Sequence, residues 1–410
     1  MAASDMKTFT YEAADKSGKI VKGKMEATSE AAVVQRLMAN GGQPVSITQV
    51  NTGGLNSEIS IPGISDKISL KEIAIMSRQL ATMINAGLSL LRALTILTEQ
   101  TENKVLQVIL GTVRTDVETG GSLSSALAKH PKVFPPLMIN MVRAGETGGF
   151  LDKTLLSIAK NFEDEVKLKG KIKSAMTYPV VVLVIAILAS AGMLIFIVPV
   201  FAGMFATLGG ELPFVTQILV TMSNFLKVAI FPLLILVFAG FIWWNRIKHR
   251  KSVREKVDPI KLKMPVFGKL TQKISIARFT RNLGAMLSAG VPILQALEIV
   301  GETSGNIVVE HAANDVIDNV RRGRSLTAPL AENPVFPPMV VQMMAVGEDT
   351  GALDDMLEKI AEFYDAEVEA TTEQLTSLIE PLMILVIGGV VGGMVIALYM
   401  PIFSIFNLIQ

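Results

Sequence analysis

A chain of 410 residues, half of them hydrophobic and 18% charged, has room for two or three domains and is too apolar for an ordinary soluble protein of its size. The formal net charge of +1 excludes bulk attraction to nucleic acid, and the lack of cysteine excludes disulfide frameworks and thiolate metal sites.

Residues 1–50 read as a small ββαβ unit. Phe9 and Tyr11 alternate with polar residues, 15–19 supplies a turn, and 20–26 returns as a second strand. Ser29 caps a helix over 30–39, Gly41-Gly42 ends it, and 45–50 forms a third strand. Lys7, Glu12, Asp15 and Lys16 interrupt any apolar run that a signal peptide would need. Residues 51–69, rich in Gly, Ser, Asn and Pro, read as a linker.

From residue 70 onward the chain repeats itself. Arg78-Gln79-Leu80, Asn85-Ala86-Gly87 and Arg92-Ala93-Leu94 align with Arg281-Asn282-Leu283, Ser288-Ala289-Gly290 and Gln295-Ala296-Leu297, an offset of 281 − 78 = 203. Ser122-Leu123 matches Ser325-Leu326 at the same offset. After a single-residue deletion, Val133-Phe134-Pro135-Pro136 matches Val335-Phe336-Pro337-Pro338, and the stretch 145–152 matches 347–354. The two copies span 70–175 and 273–378. Each reads as helices joined by tight turns: Gly87 and Gly290 fit positive-φ helix ends, and Phe-Pro-Pro forces an extended turn. Leu151, Leu155, Ile158, Phe162 and Val166 mark one helix face, repeated by Leu353, Leu357, Ile360, Tyr364 and Val368. No strong breaker separates that helix from the apolar stretch after it, so a long helix is expected to run from each module into the bilayer.

Three charge-free stretches, 179–201, 228–244 and 381–410, are long enough to span a bilayer core. They define spans at 176–202, 227–245 and 379–406, with a connector at 203–226 and a basic linker at 246–272. Trp243 and Trp244 stand where an interfacial aromatic belt would be. Lys167, Lys169, Lys171 and Lys173 precede the first span, and Arg246, Lys248, Arg250, Lys251, Arg254 and Lys256 follow the second. The positive-inside rule then places the N-terminus and both modules in the cytoplasm, with the connector and the C-terminal end outside.

No phosphate-binding loop, H-E-x-x-H or G-x-S-x-G motif occurs, His130, His249 and His311 lie far apart in the chain, and the spans carry no buried charge, so neither an enzyme nor a transporter is indicated. The best candidates for a site are the two Gly-Glu turns: Gly145, Glu146, Gly149 and Asp152, and Gly347, Glu348, Gly351 and Asp354. These residues fit a partner contact, or an oxygen-ligand cation site that would also use Asp349. The favoured reading is a helix–helix turn whose acidic residues favour the next helix's N-terminus. In the last span Gly388, Gly389, Gly392 and Gly393, with Ala397, form small-residue rows that permit close helix packing, within the chain or between subunits. The acidic run Glu362, Asp365, Glu367, Glu369 and Glu373 reads as a solvated face or a docking face for a basic partner.

The doubled Gly-Glu-x-x-Gly module, the Phe-Pro-Pro turns, the three spans and the closing Tyr399-Met400-Pro401-Ile402-Phe403 together resemble the PilC/GspF family, inner-membrane platforms of type IV pilus and type II secretion machines. The resemblance covers essentially the whole chain. It implies a mainly α integral membrane protein with two cytoplasmic six-helix modules, three transmembrane helices and a small N-terminal α+β domain. It also implies a cytoplasmic hexameric ATPase, pilin subunits and other inner-membrane alignment proteins as partners, with no cofactor. A dimer or trimer suits a central platform, and pilus assembly is favoured over secretion.

Overall fold

The computed structural model describes residues 7–14, 20–27, 30–39, 43–50, 68–207, 213–248, 250–265 and 267–406. The turn at 15–19, the Ser29 cap, Gly41-Gly42, most of the linker, residues 208–212, His249 and the last four residues lie outside that set.

The chain divides into two compact units, 1–67 and 68–410. In the first, β1 (Lys7–Ala14) lies between β2 (Ile20–Ala27) and β3 (Gln43–Val50), antiparallel to both. The outer strands therefore run in the same direction and need a crossover, which α1 (Glu30–Ala39) supplies with Val33 and Leu37 buried.

The second unit contains two sets of six helices. The first set is α2 (Leu70–Asn85), α3 (Leu90–Gln100), α4 (Lys104–Glu118), α5 (Leu123–Ala128), α6 (Pro136–Gly148) and α7 (Leu151–Gly192). After a π-helical turn at Met193–Ile197, the helix continues as α8 (Val198–Thr207). The long α9 (Phe214–Ile247) and α10 (Lys251–Lys263) follow. The second set is α11 (Phe267–Ser288), α12 (Ile293–Thr303), α13 (Ile307–Arg321), α14 (Ala328–Glu332), α15 (Pro338–Thr350) and α16 (Leu353–Phe406).

The boundaries have local causes. Ser69 and Glu72 form a capping box at α2, with Ser69 N–H donating to the carboxylate at 2.6 Å. Asn103 and Asn306 occupy equivalent N-caps of α4 and α13, their side-chain oxygens accepting from Val105, Leu106 and Val308 N–H. Pro136 and Pro338 start α6 and α15, where a missing N–H costs nothing. Gly149 and Gly351 end the same helices at φ +75° and +73°.

One apolar core runs through both modules. Leu80, Phe134, Leu155 and Phe162 in the first correspond to Leu283, Phe336, Leu357 and Tyr364 in the second, and all are buried. A smaller cluster of Leu168, Leu270, Val368 and Leu375 ties α7, α11 and α16 together nearer the apolar segments.

Among the described residues three helical stretches are long and apolar enough to cross a membrane: 151–205, 214–247 and 353–400. Pro179 and Pro381 lie inside α7 and α16, and neither proline ends its helix. At 1.5 Å per residue the 42 residues of α7 reach about 63 Å, enough to link a helical module to the far side of a bilayer core. Much of the segment read as a connector is helical, since α8 extends to Thr207 and α9 begins at Phe214. Residues 251–263 of the basic linker form α10, whose buried Asp258 accepts from Ile307 N–H at the start of α13. Ion pairs with Arg254 and Lys261 compensate that carboxylate.

Candidate functional site

The Gly-Glu turns are built alike in both modules. Gly145 and Gly347 are buried where α6 meets α7 and α15 meets α16. A Cβ on Gly145 would stand 2.6 Å from Thr154 Oγ1, and one on Gly347 would stand 2.8 Å from Leu353 Cα. The first glycine of each motif thus permits close helix approach, and the last supplies the left-handed cap.

The glutamates reach back along the chain. Glu146 accepts from Leu123 N–H at 2.5 Å and Ser124 N–H at 3.1 Å, using both carboxylate oxygens on the first turn of α5. Glu348 accepts from Leu326 N–H at 2.8 Å and the Ser325 hydroxyl at 2.9 Å. Sequence reasoning expected the acidic residues of each turn, Glu146 with Asp152 and Glu348 with Asp349 and Asp354, to favour the following helix. That role falls to Asp152, Asp354 and Asp355, in the first turns of α7 and α16. Glu146 instead anchors the preceding short helix, whose amide donors have no other intrahelical partner. Among the described residues no group of three or more His, Asp or Glu could hold a metal ion.

A second repeated feature was not singled out from the sequence. Arg78 on α2 donates to Glu163 on α7 at 2.6 Å, and at the equivalent positions Arg281 on α11 pairs with Asp365 on α16. Opposite charges at matched positions of both copies were the available signal. The Glu163 carboxyl is held below its ordinary value by its hydrogen bond to Arg78.

Between the modules lies a crevice of about 660 Å³. Its walls include Lys160, Asp164 and Lys167 of α7 on one side, and Asp354, Glu358 and Glu362 of α16 on the other. Burial pushes the Asp164 carboxyl above its ordinary value, against the pull of Arg281. Lys160–Glu358 and Lys171–Glu369 bridge α7 and α16, each pair 198 residues apart. The constant separation means that the two long helices run side by side in the same direction.

The apolar helices converge near one end. The Thr216 hydroxyl donates to the Ala397 carbonyl at 2.5 Å, with Val198, Phe205, Met394 and Leu398 buried around it. Gly388, Gly389, Gly392 and Gly393 take no part: an added Cβ at any of them would meet nothing within 4 Å. Of the two packing roles left open for these rows, contact within the chain is not made here.

Two alike helical modules, each continuous with an apolar helix long enough to span a bilayer, define a membrane protein of duplicated design. A family model described as type II secretion system (T2SS), protein F matches twice, at 76–199 and 279–401, and the model of that family's N-terminal domain matches 6–48. The chain belongs to this family. It is similar to the type IV pilus assembly protein PilC of Myxococcus xanthus, at 44% identity over 98% of this chain and 96% of the relative. The protein of the same name from Thermus thermophilus is 45% identical over 98% of each chain. The type II secretion system protein F of Vibrio cholerae is 32% identical over 99% of this chain and 100% of its own.

Proposed function

We propose that this chain is the inner-membrane platform of a type IV pilus machine, coupling a cytoplasmic hexameric ATPase to insertion of pilin subunits into the filament. The observation that carries the reading is the pair of unbroken helices α7 and α16, each rooted in a module core and continuing as an apolar span. A displacement of either module is transmitted along such a helix, which stays helical through Pro179 or Pro381 although each proline removes one backbone hydrogen bond at the entry to the span. The lysines before the first span and the basic residues after the second support a cytoplasmic location for both modules. The relatives of higher identity bear the pilus name, and the chain has no nucleotide-binding motif of its own, so the energy comes from a partner. Its role is then that of a platform and not of a catalyst.

Of the two Gly-Glu turns, the second is the more available to such a partner, since Glu348 and Asp349 are exposed while Glu146 is partly buried. A secretion platform is the second reading, favoured by full-length similarity to type II secretion proteins at 32–34% identity. Deleting the gene and restoring it, scored together for surface pili, twitching motility and secretion, tests both. Loss of pili and twitching with secretion intact is expected. Loss of secretion alone transfers the role to the second reading, and loss of neither overturns both.

A further inference from the structure

Inside the chain the two modules meet through unlike faces. The α6–α7 side of the first module packs on the α11–α12 side of the second. Asn161 donates to Asn282 at 3.0 Å, Glu165 pairs with Arg278 at 2.8 Å, and Gln295 donates to Asn140 at 3.0 Å. The reciprocal contact, α15–α16 of the second module on α2–α3 of the first, has no comparable packing among the described residues. A two-fold arrangement would have made both. The contact is therefore head-to-tail and leaves one face of each kind uncovered.

The uncovered faces differ in chemistry from the covered ones. At the positions equivalent to Asn161 of α7 and Ala144 of α6, the second module presents Phe363 and Val346, 46% and 54% exposed. At those equivalent to Arg278 of α11 and Leu294 of α12, the first module presents Ile75 and Leu91, 48% and 38% exposed. Thus at two of these positions the open faces carry an apolar side chain in place of a polar or charged one, and at a third a larger one. Large exposed apolar side chains away from the spans also occur at Met38, Val108, Ile260, Met264 and Phe267, whereas Phe363, Val346, Ile75 and Leu91 fall on the two faces that the repeat marks as complementary.

We propose that a second copy of this chain covers these faces, the Phe363–Val346 face of one copy docking on the Ile75–Leu91 face of the next. The repeat supplies the geometry: Phe363 of one copy meets Gln79 of the next, as Asn161 meets Asn282 within a chain. Because α7 and α16 run in the same direction, repeating the same step keeps every module alike with respect to the membrane. The modules of successive copies then alternate around one axis, in a ring if the rotation closes. The rival occupant is the same chain, through closure of the crevice between the modules. That closure would break the register of Lys160–Glu358 and Lys171–Glu369, which already join α7 to α16.

The natural absence of cysteine makes the test clean. Full-length chains carrying Gln79→Cys or Phe363→Cys, with different tags, are produced together in membranes and treated with a short bismaleimide. A chain carrying both Asn161→Cys and Asn282→Cys serves as the intrachain control for the module contact. The proposal expects a mixed dimer joining the two tags, and a ladder of multimers from the chain carrying both Gln79→Cys and Phe363→Cys. Adding Val346→Asp to the Phe363→Cys chain should lower the mixed-dimer yield on the order of tenfold, by placing a charge in a desolvated contact. The same change should leave the 161–282 crosslink intact, which separates a lost interface from a lost fold. Crosslinking of 79 to 363 only within one chain, or no mixed dimer where the control pair reacts, overturns the proposal.

Discussion

At the Gly-Glu turn of the first module, Glu146 is partly buried and bonds two backbone N–H groups. At the matching turn of the second, Glu348 is exposed and bonds one N–H group and one hydroxyl. The glycine before each glutamate allows close helix approach, and Arg78–Glu163 and Arg281–Asp365 tie the same two helices in each copy. Residues that hold a module together are matched between the copies, while those facing outward, such as Asn161 and Phe363, have diverged. Duplication thus preserved a fold and left its two surfaces free to take different neighbours.

The closest helix approaches give the sharpest contrast between copies. Gly347→Ala sets a Cβ against the Leu353 backbone at 2.8 Å, which can yield only by moving α16. In Gly145→Ala the nearest contact is the Thr154 side chain at 2.6 Å, with the Leu151 backbone farther off at 3.1 Å. Overpacking of this kind costs about 1–3 kcal/mol. Gly347→Ala is expected near the upper end and Gly145→Ala near the lower, read as melting temperatures in detergent. Equal losses would show that the two turns are equally rigid.

Next in size is removal of the carboxylates. Glu146→Ala strips acceptors from two amides on the first turn of α5, an expected loss of about 1–2 kcal/mol. Glu348→Ala, at an exposed site where water can replace the acceptor, is expected to cost less than about 1 kcal/mol. If a partner uses the second turn, Glu348→Ala should still impair pilus assembly at near-normal protein levels. Normal assembly by that variant would make the turn purely structural.

Much of this fold was legible because its signals are local. The register of the repeat, glycine at helix ends, Pro-Pro at helix starts and the 3–4 spacing of Leu155, Ile158 and Phe162 each act within a few residues. The continuity of α7 and α16 followed from the lack of breakers after Leu151 and Leu353. The outer helical segments were less visible: the charge-free run that begins only at 228, after Lys227, misses the helical and largely apolar residues 214–226. The reach of Glu146 to Leu123, 23 residues upstream, has no periodic signature. Nor do Lys160–Glu358 and Lys171–Glu369, since the placing of one module on the other sets their register.

The two long helices differ at one matched position. Gly170 of α7 is exposed, with open space where a Cβ would stand, and its counterpart in α16 is the buried Thr372. Glycine in a helix interior is less favourable than alanine by about 0.5–1 kcal/mol. Gly170→Ala is therefore expected to stabilise the first module by that amount, measured by melting or amide exchange over α7. If a looser α7 serves the transmission of movement, the same variant should assemble fewer pili despite its greater stability.

The smallest expected effects are in the response to pH, and they have opposite signs at adjacent residues. Glu163 has a lowered carboxyl value, through its hydrogen bond to Arg78, so its contribution is present at neutral pH and is lost on acidification through that lowered value. The pair is substantially exposed, and Glu163→Gln should cost only about 0.2–1 kcal/mol at neutral pH. Asp164 has a raised value because burial disfavours its charge, so the native state binds the proton more readily than the unfolded chain does. Its ionisation therefore weakens the fold as pH rises through the raised value. Asp164→Asn should melt slightly higher than the parent at neutral pH, with the gap closing as the pH falls, whereas the Glu163→Gln deficit should also shrink on acidification but from the other side. An Asp164→Asn variant that melts lower at neutral pH would mean that attraction to Arg281 outweighs burial in the crevice.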